Sequence, residues 1–114
     1  DIDGTIVKHM HNGHKGIMEE PHEVLPGVVK KMREWESRGD RIILITGRRE
    51  SVRERTESEL RRLGIPFDVL LMGYADTGRI LINDFGHKGN TKCHAIPVVR
   101  DAGWEKTNWS VCGL

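Results

Sequence analysis

Ile42-Ile43-Leu44-Ile45 is a run of four apolar residues, three of them β-branched, that stops at Thr46-Gly47. It has no polar side at period two. It therefore suits a strand covered on both faces, as in a parallel sheet. Parallel strands cannot be joined by a tight turn and need a longer crossover, usually a helix. Helical patterns flank the run on both sides. After Pro26-Gly27, the residues Val28, Val29, Met32 and Trp35 fall on one helix face, with Lys30, Lys31, Arg33, Glu34 and Glu36 opposite and Gly39 as terminator. A second helix is predicted from about Glu50 to Leu63, with Val52, Leu60 and Leu63 on one face, Thr56 between them, and Gly64 closing it. Phe67 to Met72 and Arg79 to Asn83 read as short strands, and Ala95 to Val99 as an edge strand, since Pro97 cannot donate to a ladder. Strands alternating with helices are the α/β signature with a parallel sheet.

Composition removes several function classes. Of 114 residues, 37% are hydrophobic and 31% charged, with net charge +1, which excludes a disordered chain and charge-driven nucleic-acid binding. No apolar run nears the roughly 20 residues that span a bilayer. Cys93 and Cys112 are too few for a disulfide framework, so a reducing cytoplasm is the expected setting and Cys93 is read as structural.

Ligands of open parallel sheets bind beyond the C-terminal ends of the strands. Three polar clusters stand at such ends: Asp1-Ile2-Asp3-Gly4-Thr5, Thr46-Gly47-Arg48-Arg49 and Asn83-Asp84. If their strands are neighbours, three carboxylates, a hydroxyl and a glycine amide converge. Two aspartates spaced i, i+2 are too costly to bury in a strand, but at its end they can share a hard cation. Mg²⁺ takes one or two carboxylates together with waters and phosphate oxygens, and this inventory suits it.

The order Asp-x-Asp-Gly-Thr, then an apolar strand ending in Thr-Gly-Arg, then one ending in Asn-Asp, resembles the haloacid dehalogenase-like superfamily, over Asp1 to about Asp84. The resemblance implies a three-layer α/β sandwich with a mainly parallel sheet, in a single domain over 1–114. It implies Mg²⁺-dependent phosphomonoester hydrolysis through an aspartyl-phosphate. Asp1 would be the nucleophile and a metal ligand, Asp3 the general acid/base and a metal ligand through its carbonyl, and Asp84 the second metal carboxylate. Thr46 and the Gly47 amide would bind phosphoryl oxygens. An aspartate nucleophile makes physical sense, since a carboxylate with pKa about 3.9 is already ionised at neutral pH.

The family's Lys between the second and third clusters has no counterpart: Tyr74 follows Gly73 here. Arg79 is the nearest basic residue, Lys88 and Lys92 follow Asp84, and Lys88 is taken as the phosphate-binding cation. The third cluster is Asn-Asp where Asp-Asp is commoner. Residues 8–23 form a loop too short for a cap domain, which points to a small capless member acting on a phosphorylated metabolite such as a sugar phosphate. A nucleotide or polynucleotide 3′-phosphatase is the alternative within the class, and a non-catalytic phosphate-binding module the alternative outside it. The nucleophile sits at the end of the family's central strand. An apolar run of roughly four to six residues is thus expected before Asp1. Without it the chain would be unstable and inactive.

Other features have plainer readings. His9, His11 and His14, with His22 nearby, raise Zn²⁺ binding, but their spacing matches no closed site and a solvated loop is preferred. Arg53, Arg55, Arg61 and Arg62 interleave with Glu50, Glu54, Glu57 and Glu59 as a salt-bridged wet face. Arg48, directly after Thr46-Gly47, is set apart as a substrate-binding residue. Trp35 is assigned to the core. Trp104 and Trp109 either pack the tail or form a dimer contact.

Overall fold

The computed structural model describes residues 1–10, 15–16, 21–74 and 77–114, and the backbone only at Cys112. Helix α1 spans Val28–Ser37, strand β1 Ile43–Ile45, a 3₁₀ turn Glu50–Val52, helix α2 Arg53–Arg62, strand β2 Val69–Leu71, and a last 3₁₀ turn Trp109–Cys112. Strands β1 and β2 are parallel, with Ile43 opposite Val69, Leu44 opposite Leu70 and Ile45 opposite Leu71. Helix α2 is the crossover between them, so the smallest α/β unit forms where the apolar run predicts it.

Both helices end as their glycines lead one to expect. In α1 the Gly39 N–H donates to Glu36 at 3.0 Å and the Asp40 N–H to Trp35 at 3.0 Å. In α2 the Gly64 N–H donates to Arg61 at 3.0 Å and the Ile65 N–H to Leu60 at 2.9 Å. Each pair is a Schellman motif with a left-handed glycine. Val28 and Met32 of α1, Val52, Thr56 and Leu60 around α2, and Leu44 and Leu70 of the sheet are buried together. Ile2, Ile6, Val7, Leu25, Ile65, Met72 and Trp104 complete this core.

Three expectations need correction. β1 is not covered on both faces: Leu44 is buried, whereas Ile43 is 57% exposed and its register partner Val69 is 43% exposed. Arg79 to Asn83 forms no strand, and Ile80 and Ile82 are 89% and 90% exposed. Ala95 to Val99 forms none either. The physical reason for the two missing strands is shared. A strand is held by ladder bonds to a neighbour, and among the described residues neither segment has one.

The tail docks on α1. Trp35, Trp104 and Trp109 meet pairwise with ring centroids 5.2–5.6 Å apart, and Lys31 lies over the Trp109 ring. The two tail tryptophans thus pack the tail. Among the described residues, no helix is long and apolar enough to cross a membrane.

Candidate functional site

Asp1 to Val7 folds into a tight turn whose hub is one carbonyl. Ile2 O accepts from the N–H groups of Thr5, Ile6 and Val7 at 3.3, 2.8 and 3.1 Å. Ile2, Ile6 and Val7 anchor the turn in the core, which leaves Asp1, Asp3 and Thr5 towards the surface. Gly4 has φ +81°, and a Cβ built there would stand 2.9 Å from Cγ of Arg100. Only glycine meets both demands without strain. Residues 100–101 strap the turn from outside: the Asp101 N–H donates to Gly4 O at 2.9 Å, and the Asp101 carboxylate accepts from the His9 N–H at 2.7 Å.

The second cluster begins where β1 stops. The Thr46 N–H donates to Leu71 O at 2.9 Å, the Gly73 N–H to Arg48 O at 2.8 Å, and the Tyr74 N–H to Thr46 O at 3.1 Å. The loop after β1 is thereby laced to the end of β2. The Thr46 hydroxyl accepts from the Arg48 N–H at 3.2 Å, which leaves its own proton free to donate.

One side chain joins the two clusters. Nε and Nη2 of Arg48 donate to Oδ2 and Oδ1 of Asp3, each at 2.8 Å. Nη1 of Arg48 donates to Oγ1 of Thr56 at 3.3 Å and to Oε1 of Glu59 at 3.4 Å. Glu59 Oε2 lies 2.6 Å from Nδ1 of His22. The Arg48 side chain is 1% exposed. Burial alone would weaken its hold on its proton. The hydrogen bonds and charge of Asp3, then those of Glu59, outweigh that and raise its pKa above the ordinary guanidinium value. Arg48 was expected to face substrate; its guanidinium is instead committed to Asp3, Thr56 and Glu59.

Asp1, Asp3, Thr46 and Gly47 are thus brought to one end of the sheet, while Asp84 and Lys88 are not seen with them. Asp84 is exposed and ion-paired with Lys92. Lys88 lies in an exposed turn closed by Gly86 N–H to Asn90 O at 2.8 Å. Among the described residues, no three His, Cys, Asp or Glu side chains stand close enough together to hold a metal ion. The expected set of Asp1, Asp3 and Asp84 is therefore not seen together among the described residues. Of the early histidines, His11 and His14 lie outside the described residues, and His22 is occupied by Glu59.

Several residues around this site escaped sequence reasoning. Glu59 was assigned to the wet face of the second helix, yet it is buried on the apolar one. Its signal was positional: Val52, Thr56, Glu59, Leu60 and Leu63 fall at i, i+4, i+7, i+8 and i+11. His22, Arg100 and Asp101 carry no such signal, since their contacts cross long stretches of chain. Comparison of the chain with protein-family models, with curated proteins and with solved structures found no match.

Proposed function

We propose that this chain hydrolyses phosphomonoesters through an aspartyl-phosphate on Asp1, in a cytoplasmic setting, with Mg²⁺ as cofactor and a phosphorylated small metabolite such as a sugar phosphate as substrate. The proposed whole is a three-layer α/β domain built around the β1–α2–β2 unit. The observation that carries this is the two-pronged Asp3–Arg48 pair, 2.8 Å on each oxygen, which joins residues 45 positions apart at the C-terminal end of β1. It supports a shared role for the Asp-x-Asp-Gly-Thr turn and the Thr-Gly-Arg loop.

In the proposed reaction an Asp1 oxygen attacks phosphorus while the bond from phosphorus to the ester oxygen breaks. Asp3 gives its proton to the departing oxygen. Water then attacks the aspartyl-phosphate, Asp3 takes a proton from it, and the bond between Asp1 and phosphorus breaks. Each Asp3 oxygen accepts one N–H from Arg48 and keeps a second lone pair for this proton or water. The Thr46 hydroxyl and the Gly47 amide are the proposed phosphoryl donors. Lys88 is the cation proposed from sequence. Arg100, across Gly4, is a cation that borders the turn. The Asp1 carboxylate and the Asp3 carbonyl are hard oxygen donors and fit part of a Mg²⁺ shell, with Asp84 still to be brought to them. Bound there, Mg²⁺ would offset the negative charge of the phosphoryl oxygens.

In the intact protein, Asp1→Asn is expected to abolish Mg²⁺-dependent release of phosphate from p-nitrophenyl phosphate, and undiminished turnover overturns the nucleophile role. A phosphate-binding module without turnover is the second reading, favoured by the separation of Asp84 from Asp1 and Asp3. Calorimetric phosphate binding without hydrolysis across a phosphoester panel would establish it.

A further inference from the structure

We infer that Glu59 and His22 are positioning residues for Asp3, acting through Arg48. The inference rests on the acid/base role proposed for Asp3 and adds two residues to it. Four side chains form an unbroken chain: Asp3 to Arg48 at 2.8 Å twice, Arg48 to Glu59 at 3.4 Å, Glu59 to His22 at 2.6 Å. They come from four separate pieces of chain: the first turn, the loop after β1, helix α2, and the strip at 22–25 that bonds back to residues 6 and 8.

Arg48, Glu59 and His22 are all more than nine-tenths buried. Burying such groups is costly, and an apolar cluster of the same volume commonly holds a fold as well or better. What an apolar cluster cannot do is set the plane of a guanidinium. Arginine is a rigid fork with donors in fixed directions. Thr56 and Glu59 hold one prong, Nη1. The edge carrying Nε and Nη2 is then turned on Asp3, and the carboxylate takes its orientation from that edge. Glu59 needs fixing in its turn. An ionised carboxylate only accepts, so Nδ1 of His22 carries the proton in their contact. His22 Nε2 has no partner among the described residues, which leaves the Glu59 contact as the polar bond seen for this buried ring. Two carboxylates share one guanidinium here. Glu59→Gln therefore removes a surplus negative charge and keeps an acceptor for Nη1, so the fold should survive it.

The test uses the intact protein, p-nitrophenyl phosphate and Mg²⁺, with circular dichroism to confirm folding. Glu59→Gln is expected to lower kcat by about 10–100-fold while KM stays within about twofold, as when the support of a reacting group is lost. In the Asp3→Asn background the same change is expected to add no further loss, because Glu59 works only through Asp3. His22→Asn, whose amide donates from the position of Nδ1, is expected to keep the kcat that His22→Ala loses; a role in packing alone would not separate these two. Wild-type kcat in Glu59→Gln, or losses that multiply in the double variant, overturns the positioning role and leaves the phosphotransfer reading standing. Should Glu59→Gln not fold, equal kcat in His22→Asn and His22→Ala overturns it instead. Absence of phosphate release by the wild-type protein overturns the phosphotransfer reading, and this role with it.

Discussion

Residues 28–74 and 77–99 carry similar strand-forming apolar runs, yet they behave in opposite ways. Ile42 to Ile45 enters a ladder with β2 and places Leu44 in the core. Ile80-Leu81-Ile82 is as apolar, but pairs with nothing among the described residues and stays exposed. The radius of gyration, 15.0 Å, exceeds the about 13 Å of a fully packed domain of this length. The difference lies in the partner, not in the run. β1 has a parallel neighbour delivered by α2, and an amphipathic face from α1 and α2 to cover one side. The second region contains no helix to do either. Strand propensity is thus only a capacity to be paired and covered.

Four measurements would break or sharpen that contrast. Arg48→Met removes the one cation between Asp3 and Glu59. It is expected to lower the unfolding free energy by about 3–5 kcal/mol in urea, as for a broken buried ion pair. Gly4→Ala forces a side chain into a left-handed residue against Arg100. It is expected to lose about 1–3 kcal/mol, part of it recovered in combination with Arg100→Ala. A third change is read by pH. The Ile42 N–H, then Arg41, hold the Asp68 carboxyl below its ordinary value. A lowered pKa in the fold means this clasp stabilises above the ordinary carboxylate value and is lost as pH falls through the lower one. The melting temperature of the wild type should therefore exceed that of Asp68→Asn near neutrality, and the two should converge in acid. Least affected is Leu81→Ser, expected within about 0.5 kcal/mol of the wild type, as at other exposed positions. A loss of about 2 kcal/mol or more there would show that the run is covered in solution, and would erase the contrast.

How much was legible follows the same line. Both helices, their glycine ends and the β1–α2–β2 order were written in local periodicity, where neighbours three and four apart decide the outcome. The meeting of the first two polar clusters was legible too, because both follow from their positions at strand and turn ends. Arg79 to Asn83 was misread, since propensity cannot report whether a partner strand is at hand. The partners of Arg48 were not legible for a related reason. Its place after Thr46-Gly47 suggested an exposed contact, and only the packing of α2 reveals the buried carboxylate of Glu59 waiting for it.

The tryptophan cluster has an optical consequence. The chain has three tryptophans, and all of them meet in the clasp between α1 and the tail. Indoles this close share excitation, so their emission behaves as a single lamp fixed at one seam. Release of the tail should change its colour and brightness at once. Events confined to the exposed run at 80–82 should leave its colour and brightness unchanged. A fluorescence melt of this protein therefore times the opening of one joint, and another probe is needed to watch the rest.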